Sequence, residues 1–328
     1  MKYEKILNVS GYIPPCKVLK RRHYKLHDFL PGGDAPKDFI SAYFYKAGEI
    51  RAKKWNYYIA KVGHKHYPIE SITEHLLNEL GSIFGMTMAE SELAFVHYSG
   101  ENQIRFFSKY FMNRQSEQLI HGADIYAAYL GDEEIIKQIE AANKEGEMIT
   151  VQEAKFAIAY LFPKNPEIFT EYIKLLLFDA LVGNNDRHFY NWGCIKSLSG
   201  NDIHFSPIYD TARGLLWNIS DENVAKWHGN PLIRKSKLAK YINNSMPKVG
   251  WDGQSKINHF DLVGLIFADE LGMSKETISN FFDVNKLEIA KAYIKNGPFN
   301  TLYTKERLEL IIECLTLRFD TIKNIISA

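Results

Sequence analysis

The segment Leu181 to Gly193, LVGNNDRHFYNWG, ends an apolar run and then places Asp186, Arg187, His188 and Asn191 within six residues. A turn needs one or two residues that tolerate its backbone. It does not need a carboxylate, an imidazole and an amide at fixed offsets. Asp186 and Asn191 lie five positions apart, and Asp210 follows in SPIYDTARG. Between them, NWGCI and DIHFS around SLSGN predict two short strands joined by a turn. This pattern suits phosphoryl transfer from a nucleotide. That reaction asks for a group that orients the acceptor hydroxyl, hard oxygen ligands for Mg²⁺, and a cation on the phosphates that stay behind. Asp186 suits the first task. Asn191 and Asp210 suit the second, because a hairpin turns the chain back so that Asp210 can face Asn191 across one metal ion.

The remaining parts come from an earlier stretch. Lys61 ends the expected strand YYIAK among apolar neighbours, from where it could reach phosphates. Glu74 lies on the helix that follows, where a carboxylate could pair with Lys61 and fix its direction. Gly32 and Gly33 precede the first strand and would let backbone approach a phosphate. Each part has a plainer reading by itself. Asp186 could cap a helix end, Lys61 could be an edge-strand lysine, Glu74 a surface helix acid, and Gly32-Gly33 a simple turn. His188 reads better as a hydrogen-bonding prop than as a reacting group. The ordered set is the stronger signal.

The elements that must hold these residues are legible in outline. Phe39 to Lys46 and Trp55 to Val62 are rich in β-branched and aromatic residues and predict two strands. Ile72, Leu76, Leu77, Leu80, Ile83 and Phe84 recur at helical spacing before Gly85. ELAFVHY and QIRFFSKYF around SGEN predict a hairpin. From about residue 112 onward helices dominate. PEIFTEYIKLLLFDALVG carries the broad apolar face of a buried helix, and Leu308, Ile311, Ile312, Leu315, Phe319, Ile322 and Ile326 keep one stripe along a final helix. The expectation is an α+β chain of two lobes: residues 1–115, rich in strands, and residues 116–328, mostly helical.

The segments TEHLLNELGSIFG, GNNDRHFYNWG and SPIYD resemble those of the HipA-like serine/threonine kinases, a bacterial branch of the kinase superfamily known from toxin–antitoxin systems. The resemblance implies a protein-kinase-like fold that uses ATP and Mg²⁺. It also implies a catalytic Asp186, metal binding by Asn191 and Asp210, a phosphate-directed Lys61 paired with Glu74, and His188 as part of the catalytic loop. A protein substrate with a Ser or Thr acceptor follows from it, as does a small antitoxin-like partner. Two departures stand out. Larger family members carry an extra N-terminal region that this chain looks too short to hold. The phosphate-loop segment PGGDAPKD also lacks the serine at which relatives autophosphorylate; Ser41 is the nearest.

Bulk composition narrows the alternatives. Lys+Arg is 40 and Asp+Glu is 39, so no whole-molecule field steers the chain toward nucleic acid, and direct nucleic-acid binding is not expected. Cys16, Cys194 and Cys314 form no Cys-x-x-Cys pair, which points away from a zinc ribbon or a disulfide framework. No secretory signal or membrane span is visible, and the expectation is a cytoplasmic protein, with delivery to a host cell left open. The basic run Lys17, Lys20, Arg21, Arg22 and Lys25 reads as a solvated face. It also keeps open a phosphoinositide-type lipid kinase, whose catalytic loop is similar. A non-catalytic nucleotide-binding regulator is a further alternative. A metal-dependent hydrolase built on His188, His204 and Asp210 leaves the Asp186–Asn191 spacing without a reason. His64 and His66 in HKH look like a metal clip but lack an acidic or Cys neighbour, so they read as a surface turn.

Overall fold

Two strands separated by four residues occupy opposite edges of the same sheet. They are β1 (Lys17–Leu19) and β2 (Tyr24–His27), joined by a 3₁₀ turn at Arg21–His23. The computed structural model describes residues 16–28, 37–46, 51–63, 69–98, 101–142, 144–254 and 256–327. Chain order continues with β3 (Lys37–Ala42), β4 (Asn56–Lys61), α1 (Glu70–Ile83), β5 (Ser91–Tyr98) and β6 (Glu101–Lys109). The sheet order is β1-β5-β6-β4-β3-β2, with β1 parallel to β5 and the other neighbours antiparallel. A connection this short between opposite edges forces the sheet to curl into a half-barrel. Its inside holds Leu19, Tyr24, Ile40, Ala42, Phe44, Tyr58, Ala60, Ala94, Val96 and Phe107. Phe44 meets Tyr58 and Phe107 edge-on at 4.9 and 5.2 Å. Side chains alternate along a strand, so Tyr58 and Ala60 point into the curl and Lys61 points the other way, toward α1.

The expected strand–strand–helix–strand–strand order is observed from β3 to β6, with β1 and β2 preceding it. β1 and β2 were not expected; three- and four-residue strands inside a basic run leave no periodicity to read. The cations of that run are exposed, and Lys17 reaches Glu92 at 2.9 Å. Gly32, Gly33 and the HKH segment lie outside the described residues.

The second part begins with β7 (Glu117–His121) and the helices α2 (Gly122–Leu130), α3 (Glu133–Ala141), α4 (Glu145–Met148), α5 (Val151–Leu161) and α6 (Glu167–Val182). A hairpin follows, β8 (Gly193–Ser197) and β9 (Ile203–Phe205), and β7 joins it as a third strand. Then come α7 (Asp221–His228), α8 (Pro231–Asn243), α9 (His259–Ala268), α10 (Lys275–Phe281), α11 (Val284–Asn296), α12 (Phe299–Leu302) and α13 (Lys305–Ser327). α6 buries all but four of its sixteen residues, as its broad apolar face requires. It stops where Gly183 takes φ 70°, a left-handed conformation that costs glycine no Cβ clash.

One large core joins the two parts. It contains Ile72, Leu76, Leu77 and Leu80 of α1, Leu93 and Phe106 of the sheet, and the inner faces of α6, α9 and α13. Each such side chain contributes about 1.5–3 kcal/mol on burial. α1 is therefore packed into both parts and carries Glu74 with it. No described helix is long and apolar enough to cross a membrane.

Candidate active site

Lys61, at the end of β4, is the meeting point of the two parts. Its Nζ donates to Glu74 Oε1 of α1 at 2.8 Å and to Asp210 Oδ1 at 2.7 Å. Burial alone would lower the ammonium's pKa, but Asp210 and Glu74 together hold it above the ordinary lysine value. Burial pushes the Glu74 carboxyl up to about 7, with Lys61 opposing the rise. Asp210 goes the other way, down to about 2: its burial is outweighed by the Lys61 charge and hydrogen bond. The sequence thus places its expected cation between its two expected carboxylates.

Asp210 itself has φ 54°, unusual for any residue but glycine. Arg187 fixes the chain on both sides of it. Arg187 NH1 donates to Tyr209 O at 2.8 Å, and NH2 donates to Thr211 Oγ1 at 2.6 Å. NH1 also donates to Asn191 O at 2.7 Å. The guanidinium is anchored in turn on Asp179 of α6, through Nε at 2.9 Å and NH2 at 3.1 Å. Asn184 Nδ2 shares the same carboxylate at 2.9 Å. One buried ion pair therefore sets the register between the loop bearing Asp186 and Asn191 and the segment bearing Asp210.

Within the loop, Asn191 Nδ2 donates to the Asp186 carbonyl at 2.8 Å. That bond leaves Asn191 Oδ1 as the acceptor end of the side chain. Asp210 Oδ2 is likewise left when Oδ1 takes the lysine. An amide oxygen and a carboxylate oxygen suit a hard divalent cation such as Mg²⁺. Burial lifts the Asp186 carboxyl to about 6, against the pull of Arg213. Arg213 NH1 stands 3.1 Å from Asp186 Oδ2, and its Nε stands 3.6 Å from Glu70 Oε1 of α1. His188 accepts from the Tyr190 N–H at Nδ1, 3.3 Å, and its carbonyl accepts from the Asn191 N–H at 2.9 Å. Burial lowers its imidazole pKa, with Asp210 opposing, and the ring braces the loop through the Tyr190 N–H. His204 lies exposed on β9. Among the described residues, no three His, Cys, Asp or Glu side chains gather as a metal cluster.

The structure thus brings Lys61, Glu74 and Asp210 into contact and joins Asp186 to Asn191. Sequence reading gave no task to Asp179, Arg187 or Arg213. A signal existed for the first: a single Asp in the apolar run LLLFDALVG has to find a buried partner. Tyr209 was missed as well. Its hydroxyl donates to Tyr190 O at 3.1 Å and meets His121 Nδ1 at 2.9 Å, tying the Asp210 segment to β7.

The chain is similar to known proteins to different extents. The serine/threonine-protein kinase CtkA of Helicobacter pylori is 23% identical over 174 residues, 52% of this chain and 51% of that protein, so the match spans about half of the curated relative. The crystal structure of the Helicobacter pylori proinflammatory kinase CtkA superposes with a TM-score of 0.69 at 18% identity, covering 92% of this chain and 96% of that one. That likeness shows the two-lobed, kinase-like α+β fold. HipA from the Shewanella oneidensis MR-1 toxin–antitoxin complex with HipB and operator DNA matches at a TM-score of 0.46 and 14% identity, covering 81% of this chain and 58% of that one. The family model for the HipA-like C-terminal domain matches residues 30–253, and the chain belongs to that family.

Proposed function

We propose that this chain is an ATP-dependent serine/threonine protein kinase of HipA-like type. The observation that carries the reading is the Lys61 ammonium held between Glu74 and Asp210, at 2.8 and 2.7 Å, beside a loop that presents Asp186 and Asn191. In this reading residues 1–115 and 116–328 form the two lobes and the nucleotide lies between them. Lys61 contacts the phosphates that are not transferred, with Glu74 fixing its direction. Gly32 and Gly33 belong to the loop over the phosphates. Asn191 and Asp210 would hold Mg²⁺, which when bound neutralises phosphate charge. Asp186 accepts the hydrogen bond of a Ser or Thr hydroxyl and takes its proton. His188 supports the loop.

Membership of a family with toxin–antitoxin relatives supports a small antitoxin-like protein as partner, in a cytoplasmic setting. The functional test is incubation with γ-labelled ATP and Mg²⁺, with protein and with phosphoinositide vesicles offered as separate acceptors. Label on Ser or Thr of protein, absent with Asp186→Asn, is the expected result. Label confined to lipid, or no transfer despite nucleotide binding, would overturn it in favour of a lipid kinase or a non-catalytic binder.

A further inference from the structure

Arg213 is a cation at the centre of the site to which the scheme above gives no task. Its backbone is fixed with unusual firmness. The Arg213 carbonyl accepts from the Asn185 N–H at 3.3 Å, next to Asp186. Leu215 N–H donates to Val182 O at 3.0 Å. Between them, a Cβ on Gly214 would lie 2.7 Å from Val182 O, so only glycine allows the approach. The segment after Asp210 is thus clipped to the end of α6 and to the catalytic loop. Arg307 of α13 clips its far end, donating to Leu216 O and Ile219 O and pairing with Asp221 at 2.7 Å.

Three contacts place the side chain. The guanidinium carbon lies over the Trp217 ring, 5.2 Å from its centroid. One nitrogen faces Asp186 Oδ2 at 3.1 Å and another faces Glu70 Oε1 at 3.6 Å. The two carboxylates come from different elements, Asp186 from the loop after α6 and Glu70 from the start of α1. A little over a third of the side chain is exposed, 38%, so its donors can reach a third anion. A transferring phosphoryl group must arrive beside Asp186, because the acceptor hydroxyl that attacks it is held there.

Resting on the kinase reading, we infer that Arg213 is a further catalytic residue that donates to the transferring phosphoryl group. In the step, a bond forms between the acceptor oxygen and phosphorus. The bond from phosphorus to the bridging oxygen of the nucleoside diphosphate breaks, and that oxygen leaves with the electron pair. The hydroxyl proton passes to Asp186. Negative charge on the equatorial oxygens of the phosphoryl group meets a guanidinium already in place, so little reorganisation is needed. The Glu70 contact places the start of α1 against the same guanidinium. Because α1 also carries Glu74, the orientation of this helix bears on Lys61 and Arg213 together.

The test uses the full chain with Arg213→Ala and Arg213→Lys, after their melting temperatures are shown to match wild type. Single-turnover transfer by Arg213→Ala is expected to fall on the order of a thousandfold. Affinity for ADP, which lacks the transferred group, is expected to stay within about threefold of wild type. Added guanidinium, below denaturing concentration, is expected to restore part of the Arg213→Ala rate and none of the Asp186→Asn rate. Arg213→Lys, a point charge without the fork, is expected to fall between wild type and Arg213→Ala. An Arg213→Ala rate within about threefold of wild type would overturn the inference. So would a loss that tracks ADP affinity and is not rescued, since that marks a structural role. A wild type that transfers no phosphate removes the kinase reading, and this inference with it.

Discussion

Arg187 shows how a residue outside the reaction can decide whether the site exists. It is 5% exposed and touches Asp179, Asn191, Tyr209 and Thr211. Arg187→Met would leave Asp179 buried without its cation, at a cost of about 3–5 kcal/mol. Urea denaturation is expected to show that loss, and Asp210 is expected to lose its register with Asn191. His259 gives a pH test. Its Nε2 lies 2.9 Å from Asn184 O, and burial drives its pKa down to about 3, with Arg318 adding to the fall. The folded state keeps this imidazole neutral, while the unfolded chain protonates near the ordinary histidine value of about 6.5. The unfolded state therefore binds more protons between those values. The stabilisation is complete above about pH 6.5 and is lost as pH falls toward 3, by about 1.4 kcal/mol per pH unit. Glu74, raised to about 7, acts in the opposite sense: its contribution is lost as pH rises. The readout is therefore the difference between wild type and His259→Gln, which should show a flatter loss of stability between pH 6.5 and 5.

At the scale of elements, the ends of α6 and α8 matter more than their faces. Arg318 of α13 donates twice to Ala180 O and once, at 3.1 Å, to Ile242 O, in the last turns of those helices. It thereby satisfies carbonyls that a helix end leaves without partners and places a cation at two negative dipole ends. Its pKa is lowered to about 10 by burial, so it stays charged. Arg318→Leu is expected to cost about 1–3 kcal/mol for each buried carbonyl left unsatisfied, and to loosen Gly183–Asn185. Hydrogen exchange at Asn184 and Asn185 would report the loosening; unchanged protection would contradict it. Such contacts mark the limit of what the sequence shows. The stripe Leu308, Ile311, Leu315, Phe319 on α13 is periodic and was legible. Arg307 and Arg318 interrupt it, and nothing local says that they reach backbone carbonyls far away in sequence. The hairpin between Asn191 and Asp210 was legible because its turn chemistry is local. The pairing of β7 with it was not, because that contact closes across α2 to α6. For the same reason the spacing of Asp186, Asn191 and Asp210 could be read, while the Arg187–Asp179 pin that enforces it could not.

For the whole molecule, the decisive fact is that α1 belongs to two neighbourhoods. Its apolar side chains lie in the core shared with α6, α9 and α13, and its Glu74 reaches the sheet through Lys61. The half-barrel keeps a smaller core of its own. A shared core is expected to make unfolding a single transition, with far-ultraviolet and tryptophan signals coincident. Two separate transitions would show that the half-barrel stands alone. Mg²⁺ and ADP together are expected to raise the midpoint by mass action, and to do so less in Lys61→Met. The central claim is that this shared frame exists to carry a phosphoryl group from ATP to a hydroxyl beside Asp186. Its most direct test is single-turnover transfer of the γ-phosphate to protein Ser or Thr, comparing wild type with Asp186→Asn at saturating nucleotide. The account predicts transfer by wild type and almost none by a variant that binds ADP equally well. Equal transfer by both would contradict it, as would a wild type that binds nucleotide and transfers nothing.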